Sequence, residues 1–210
     1  MPKATWWNLP EDKRSRITEV AMQEFGARGF AAGSLNVVAK EAEVAKGSLF
    51  QYFDDKLDLY ITICEQAASE IERHAIDGVD GQGPFFDSLR GIVGRWMWYF
   101  REHPAQRRIA YASTHEVDPE VRARVRAVVN AHYESGLGSL VRGAIERGEL
   151  REDVDERMVM SLVGVVLRHL NSAPFDANGD VAIPFHELSD AEVDRWALAY
   201  VDVLEAAFRS

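Results

Sequence analysis

Apolar residues recur every three or four positions along most of this chain, and that spacing predicts amphipathic helices. Capping signals separate the helices, such as Pro at a first helical position and Gly just past an end. No segment alternates apolar and polar residues as a half-buried strand would. The pattern therefore predicts an all-α protein of about nine helices. The longer helices are expected over residues 10–28, 56–74, 85–101, 118–147, 155–170 and 190–208.

Two short helical patterns lie back to back between Ser34 and Lys56. Ser34 is placed to cap the first helix by accepting a hydrogen bond from a free backbone N–H group. Ala42–Val44 is the break, where Val44 is expected to fill a small core. The second helix is expected from about Ala45 to Gln51. This arrangement predicts a helix-turn-helix, in which the second helix lies in the major groove of DNA.

The aromatic residues of this stretch are assigned mainly to its interior. We expect Phe50 and Phe53 to lie in the core of the N-terminal helical domain that contains this stretch, which we call the head. Tyr52 either donates its hydroxyl to a phosphate or packs beneath the head.

Gly47 has no side chain, so a DNA backbone can approach closely there. Ser48 and Gln51 can form hydrogen bonds with base edges or phosphates.

A family resemblance lies in residues 44–59, which run Val-Ala-Lys-Gly-Ser-Leu-Phe-Gln-Tyr-Phe-Asp-Asp-Lys-Leu-Asp-Leu. These residues resemble the TetR/AcrR (tetracycline-repressor-like) family of bacterial regulators. The resemblance implies a helix-turn-helix DNA-binding domain over residues 1–55, built from three helices. It also implies a helical ligand-binding and dimerisation domain over residues 56–210. Ala45 and Phe50 depart from the family, which usually has a hydroxyl at both positions that often reaches phosphate.

We expect the contacts to double-stranded operator DNA to come from one small set of residues. The resemblance implies a phosphate anchor at Lys56. Lys46 belongs to the set because it begins the recognition helix, and a solvated surface lysine is the alternative for it. The set is Ser34, Lys46, Gly47, Ser48, Gln51, Tyr52 and Lys56.

Charge is unevenly distributed along the chain. The net charge of −10 is unusual for a protein that binds phosphate. Residues 1–56 hold eight Lys and Arg and eight Asp and Glu, so the whole acidic excess lies in residues 57–210. A local basic face, rather than the total charge, attracts DNA. We therefore expect modest affinity from one neutral head, and binding that depends on two subunits.

The two C-terminal helices carry wide apolar faces, over residues 155–170 and 190–208. In the family that the chain resembles, the equivalent helices of two subunits form a four-helix interface. Such a two-fold contact is self-complementary. We therefore expect a homodimer through these helices, and the alternative is that both faces pack only internally.

Aromatic and histidine residues are concentrated in the predicted body, where a largely apolar pocket with a few polar groups would suit a small organic effector. A plain core without a cavity is the alternative. Neighbouring arginines could meet an acidic group, so a fatty acyl thioester is one candidate effector. The tentative pocket residues are Trp96, Tyr99, Phe100, Tyr111, His132, Tyr133 and His169.

Other classes of protein find little support in the sequence. The single cysteine, Cys64, excludes an internal disulfide and is expected to be buried. No run approaches the ~20 apolar residues of a membrane span, so no membrane partner and a cytoplasmic location are expected. The histidines lack the spacing of a metal site. We expect no cofactor, no catalytic residues and no enzyme.

The sequence as a whole predicts a ligand-responsive transcriptional regulator, and a repressor in particular. The alternative is a helical small-molecule-binding protein whose DNA-binding head is weakened or lost. The segment Met1–Leu9 is expected to be irregular. Its pair Trp6-Trp7 forms either a hydrophobic clasp over the first helix or an arm that reaches DNA or a partner.

Overall fold

A computed structural model describes residues 1–77, 79 and 83–210. Ten α-helices and no strand occur in this part of the chain, which confirms the all-α prediction. Residues 77–84 lie between two of the predicted helices, and their three glycines predict a loop. Four of these residues lie outside the described part: Gly78, Asp80, Gly81 and Gln82. The helices are α1 (Ala4–Trp7), α2 (Glu11–Ala32), α3 (Leu35–Glu41), α4 (Lys46–Tyr52), α5 (Lys56–Ile71), α6 (Phe85–Glu102), α7 (Pro104–Thr114), α8 (Pro119–Glu146), α9 (Glu156–Ser172) and α10 (Asp190–Phe208).

The chain forms two compact units. The first comprises Met1–Glu70 with His103–Asn130, and the second comprises Ile71–Glu102 with Ala131–Ser210. The first unit thus combines the helix-turn-helix stretch with α7 and the first part of α8. The division into a DNA-binding domain over residues 1–55 and a body over residues 56–210 stays a prediction.

Close helix packing holds the first unit together. A Cβ added to Gly26 of α2 would lie 2.9 Å from the Arg108 Cβ of α7, so the two helices approach almost to backbone contact. The ring of Tyr60 on α5 lies 5.3 Å from that of Phe25 on α2. Cys64 is buried as expected, and burial raises the pKa of its thiol.

In the second unit, α6 packs against α10, and ion pairs border the contact. Arg90 pairs with Asp202 at 2.7 Å and with Glu205. Arg101 pairs with Asp194. Apolar residues lie on most sides of α6, a pattern that predicts a buried helix. Trp98 is nevertheless exposed, so one edge of α6 faces solvent.

Several helix ends follow the capping signals of the sequence. The Asp118 carboxylate accepts the Glu120 N–H at 2.9 Å, and the Asp155 carboxylate accepts the Arg157 N–H at 2.7 Å. Gly148 follows α8 at φ 69°, a left-handed conformation that glycine adopts without strain. The prediction for Ser34 is wrong, because its side chain makes no capping hydrogen bond. Its backbone N–H instead donates to the Glu24 carboxylate at 3.0 Å.

The helical path of α5 continues beyond Ile71, the last residue with regular α-helical hydrogen bonding. Residues Glu72–Ile76 continue it as one turn of π-helix. The guanidinium of Arg95 donates to the carbonyl of Ala75 in this turn, from Nε at 3.0 Å and from Nη2 at 2.9 Å. A Cβ on Gly136 would lie 2.8 Å from a methyl of Ile76, so α8 lies directly against the turn there.

One segment of the described chain, Glu156–Phe175, is long and apolar enough to cross a membrane by length and composition, with a mean hydropathy of 1.2. This is weak evidence, because a core helix of a soluble protein passes the same test. The segment contains α9, which carries Arg157 and Arg168. Its Val159, Val163 and Leu167 are buried within the second unit.

Candidate nucleic-acid interface

The turn between α3 and α4 is built as a helix-turn-helix requires. Glu43 adopts φ 55°, the left-handed conformation that reverses the chain. The Val44 N–H then donates to the Ala39 carbonyl at 2.9 Å. Ala42, rather than Val44, is fully buried in the turn. Val44 remains half-exposed, so the prediction that it fills the small core is wrong.

Helix α4 has one buried face and one exposed face. Leu49 and Tyr52 point into the first unit. Three and four residues apart are neighbours on a helix surface, so the other positions form a continuous exposed strip along the helix. The strip consists of Lys46, Gly47, Phe50 and Gln51, with half-buried Ser48 beside it.

Phe50 corrects the sequence analysis. Its side chain is 43% exposed, whereas Phe53 is buried as predicted. Leu49, Tyr52 and Phe53 occupy positions i, i+3 and i+4, and together they already fill the inward face. That spacing, counted from Leu49, would have identified Phe50 as an outward residue. An exposed ring here can contact the methyl group of thymine in a major groove.

Tyr52 takes the second of its two predicted roles in this structure. It is only 7% exposed, and its ring lies 6.0 Å from that of Trp6. Its contact with phosphate stays a prediction, which now depends on how much of the hydroxyl solvent can reach. Ser34 is half-buried, and its hydroxyl is not used to cap α3.

Lys56 is held at the end of α2. Its ammonium donates to the carbonyls of Ala31 at 3.2 Å and Gly33 at 3.3 Å, and it lies 4.5 Å from the centre of the Phe30 ring. An ammonium has three donors, so one remains for a phosphate. By contrast, Lys46 is exposed and forms no ion pair within the part of the chain that the structure describes.

Gly47 leaves open space on the exposed strip. A Cβ built at this position meets no atom within 4 Å. The absence of a side chain is therefore not required by packing inside the protein. A surface partner that approaches the backbone closely would explain why glycine suits this position.

Family models match both parts of the chain. The model described as bacterial regulatory proteins, tetR family, matches residues 17–63, which contain the helix-turn-helix. The model described as tetracyclin repressor-like, C-terminal domain, matches residues 82–177. The chain belongs to the TetR family of bacterial transcriptional regulators. As a member of this family, it is a helix-turn-helix DNA-binding protein and not an enzyme.

Individual relatives of this TetR-family regulator cover most of its length. The HTH-type transcriptional activator FasR of Mycolicibacterium smegmatis is 26% identical over 174 residues, which is 82% of this chain and 76% of FasR. A TetR family regulator from Chloroflexus aurantiacus is 25% identical, with a TM-score of 0.67, over 100% of this chain and 99% of that one.

One structural neighbour was solved with its ligand. It is the regulator FadR of Bacillus subtilis in complex with stearoyl-CoA. Its TM-score is 0.76, and the match covers 91% of this chain and 97% of that one. The identity of 14% shows a shared fold only.

Three of the seven tentative pocket residues form an aromatic cluster in the second unit. The Trp96 ring lies 5.4 Å from that of Phe100 and 5.7 Å from that of Tyr133. Trp96 is buried, and its indole Nε1–H has no hydrogen-bond partner among the described residues. Buried donors are normally satisfied, so this group is suited to an acceptor supplied by a bound molecule.

The remaining pocket candidates lie in other local clusters. Tyr99 stacks on His74, with ring centres 5.0 Å apart, and His132 Nδ1 lies 2.6 Å from a Glu72 carboxylate oxygen. Tyr111 belongs to the first unit, where it stacks on His115.

His169 lies on α9 in the second unit. Its Nε2 is 3.0 Å from the Asp180 carboxylate and 3.3 Å from the Tyr200 hydroxyl. Backbone N–H groups of Ile183 and Ala182 bind Asp180 and lower the pKa of its carboxyl. His169 thus joins α9 to α10 and to the loop between them. The tentative pocket as a whole stays a prediction.

Both C-terminal helices expose apolar side chains besides their buried ones. On α9, Met158, Leu162 and Val165 are exposed at positions i, i+4 and i+7. On α10, Trp196 and Val203 are exposed seven residues apart. These two strips leave an apolar surface on the second unit. Among the described residues, no group of three His, Cys, Asp or Glu side chains could hold a metal ion.

Proposed function

We propose that this TetR-family regulator binds double-stranded operator DNA as a homodimer and represses transcription until a small, largely apolar effector releases it. The exposed strip of α4 carries the proposal. Its open position at Gly47 admits a DNA backbone, while Lys46, Phe50 and Gln51 can meet phosphates and base edges. Such a protein works in the cytoplasm, where its DNA lies.

Two heads are needed because one short helix contacts few bases. Dimeric helix-turn-helix proteins bind two half-sites one helical turn or more apart. The exposed strips on α9 and α10 supply the expected two-fold interface, since apolar side chains at an isologous contact bury one another. The alternative, a small-molecule-binding protein with a lost DNA-binding head, gains no support from the described residues.

The effector is proposed to bind in the second unit near Trp96. The cluster with Phe100 and Tyr133 offers aromatic surface, and the unpaired Trp96 Nε1–H offers one donor. A fatty acyl thioester is the candidate to test first, because the structural neighbour FadR was solved in complex with stearoyl-CoA. Arg101 is a poor partner for the acidic groups of such a thioester, because the carboxylates of Asp190 and Asp194 already pair with Arg101.

Release by the effector requires coupling between two sites. We propose that the effector favours a conformation in which the two heads of the dimer no longer match the half-sites. Helix α5 and its π-helical turn form one of the covalent connections between the two units, and we propose that the change passes along it. Coupling of this kind is reciprocal. If stearoyl-CoA weakens DNA binding, saturating DNA must therefore weaken stearoyl-CoA binding by the same factor.

Two pairs of titrations measure the reciprocity: stearoyl-CoA into the protein alone and into its complex with DNA, and DNA into the protein alone and into its complex with stearoyl-CoA. The DNA is a duplex that the protein itself selects from a random-sequence pool. We expect DNA to weaken stearoyl-CoA binding by the same factor by which stearoyl-CoA weakens DNA binding. Stearoyl-CoA that binds the protein and its DNA complex equally well would rule out release by this ligand.

The direction of regulation needs a separate test, since the relative FasR is named an activator. If the protein is a repressor, deletion of its gene raises transcription of the genes next to its binding sites. Transcription that falls on deletion would instead make it an activator.

Lys56→Ala is expected to weaken binding to selected and random duplexes by the same factor. In this proposal the ammonium contacts phosphate rather than bases. The slope of the logarithm of the DNA association constant against the logarithm of salt concentration should therefore become shallower by about one. Loss of its bonds to Ala31 and Gly33 should also destabilise the head by about 1 kcal/mol. Fluorescence anisotropy across a salt series measures the slope.

Arg124→Ala is the matched control for Lys56→Ala. Like Lys56→Ala, it removes one cation from the first unit, and this cation is exposed and lies far along the sequence from the helix-turn-helix. Its salt slope should equal that of the wild type. A loss at Lys56→Ala confined to the selected duplex would contradict a phosphate contact.

A further inference from the structure

The last carbonyl groups of α4 are capped by the N-terminal segment rather than by the residues that follow the helix. Lys3 Nζ donates to the Phe50 carbonyl at 2.9 Å, and the Thr5 hydroxyl donates to that of Gln51 at 2.5 Å. The Lys3 backbone N–H donates to the Tyr52 carbonyl at 2.8 Å. Three successive carbonyls that a helix end would leave without partners are thus satisfied from a distant segment.

No local cap replaces these bonds. Helices often end with a glycine in the left-handed conformation, which folds the chain back onto the free carbonyls. Here Phe53 follows α4 with φ −128° and ψ 145°, so the chain leaves in an extended direction. The segment that contains α1 is therefore the only cap of these three carbonyls in the described part of the chain.

Trp6 fixes this segment to α4. Its side chain is 1% exposed, and its ring lies 4.8 Å from that of Phe53 and 6.0 Å from that of Tyr52. Such aromatic contacts add stability beyond the area that they bury. Trp7, the next residue on α1, is 62% exposed and takes no part in the contact.

Groups of the same unit bind the Lys3 ammonium, although its side chain is 41% exposed. Its ammonium also forms a 3.0 Å ion pair with Asp54. A cation at the carboxyl end of a helix is favoured by the helix dipole. Of the two roles considered for the arm, the structure favours a clasp over one that reaches DNA. The clasp closes mainly on α4, and it also touches the first long helix, where the Arg14 guanidinium lies 5.9 Å from the centre of the Trp7 ring.

A seven-residue helix needs such support. Isolated helices this short are not stable in water, because nucleation costs more than so few hydrogen bonds return. The residues whose carbonyls are capped include Phe50 and Gln51, whose side chains lie on the exposed strip. The cap therefore sets the backbone from which those side chains project. It also lies outside residues 17–63, which match the family model.

We propose that Lys3, Thr5 and Trp6 are positioning residues for base readout, because they cap α4 and fix the direction in which Phe50 and Gln51 project. The proposal rests on the proposed binding of DNA by α4. Phosphate contacts orient a protein on DNA, whereas base contacts determine its choice of sequence. Loosening the cap should therefore reduce sequence discrimination more than overall attraction to DNA.

The test compares Thr5→Val with Thr5→Ser in the full-length protein. The probes are a duplex that the wild-type protein selects from a random-sequence pool and an unselected duplex of equal length. Thr5→Val keeps the shape but removes the donor, and it should bind the selected duplex about three- to tenfold more weakly. Its affinity for the unselected duplex should change less than about twofold. Thr5→Ser, which keeps the hydroxyl, should restore both affinities.

Two tryptophan variants extend the comparison. Trp6→Leu should lower discrimination further than Thr5→Val, while Trp7→Leu, on the same helix but facing solvent, should behave like the wild type. Where Trp6→Leu does not fold, the Thr5 pair decides the question alone. Equal losses on both duplexes would show that the segment only stabilises the head, and would overturn the proposal. So would a Thr5→Val variant with unchanged discrimination.

Failure of this proposal is distinguishable from failure of the proposed function. If the wild-type protein enriches no sequence from the pool, DNA binding by α4 is refuted and the positioning role falls with it. If the wild type enriches a sequence and Thr5→Val binds it equally well, only the positioning role is refuted.

Discussion

Gly47→Leu is expected to lower the affinity for selected DNA about a hundredfold while the protein remains folded. A side chain at position 47 would project from the exposed strip of α4 into space that a DNA backbone must occupy. Holding the helix away from the groove would remove about two contacts of 1–3 kcal/mol each, and a hundredfold loss corresponds to about 2.7 kcal/mol.

The fold should tolerate this change because a Cβ at Gly47 meets no protein atom within 4 Å. Glycine is also the poorest helix former after proline, so the substitution should leave the melting temperature unchanged or slightly higher. Gly94→Leu is the matched control. Gly94 is an exposed helical glycine of α6 with equally open surroundings, and its substitution should leave DNA binding intact.

Anisotropy measurements on the two glycine variants separate a blocked surface from a damaged fold. Equal DNA affinity for Gly47→Leu and the wild type would show that α4 does not approach DNA at this position. A similar loss in both variants would point to an effect unrelated to the helix-turn-helix.

Leu162→Glu is expected to dissociate the proposed dimer. Leu162 lies in the middle of the exposed strip of α9, between Met158 and Val165. Burying an unpaired carboxylate in an apolar interface costs several kcal/mol, so the dimer should weaken by at least about a hundredfold. DNA affinity should fall with it, since each head alone contacts one half-site.

Sedimentation velocity at several protein concentrations measures the dissociation of Leu162→Glu. Val117→Glu is a matched control, since it places the same charge at an exposed apolar residue that belongs to neither C-terminal helix. This control should remain dimeric. If Leu162→Glu stays dimeric as well, α9 lies outside the interface.

Much of the fold follows directly from the sequence because its helices carry strong local signals. The Asp118 and Asp155 caps and the glycine after α8 form as their residue types predict. The helix-turn-helix was also predictable. The boundaries of α4, expected from about Ala45 to Gln51, differ from the structure by one residue at each end.

Features that depend on distant contacts were not predictable. Helix α1 forms four residues without a strong helical pattern, because its Trp6 packs against Phe53, far along the chain. Ser34 has the residue type of a cap, yet its backbone is held by Glu24 instead. Lys56 has the position of a phosphate anchor, but its ammonium is shared with two carbonyls of the protein.

Phe50 shows why residue type alone misleads at a functional surface. Large aromatic residues are usually buried, and an exposed one marks a site where some other gain offsets its cost. Here the buried positions on α4 are already filled by Leu49 and Tyr52. The candidate DNA surface thus includes a residue that its chemistry alone would have placed in the core.

Selection of DNA by the wild-type protein from a random pool of duplexes shows whether two copies of α4 read DNA together. The duplexes need about 40 base pairs, or roughly four helical turns, to hold two half-sites. We predict that an inverted repeat emerges, that two chains bind each duplex, and that Gly47→Leu fails to bind it. A pool without enrichment, or an enriched sequence without two-fold symmetry, would contradict a dimer that reads DNA through α4.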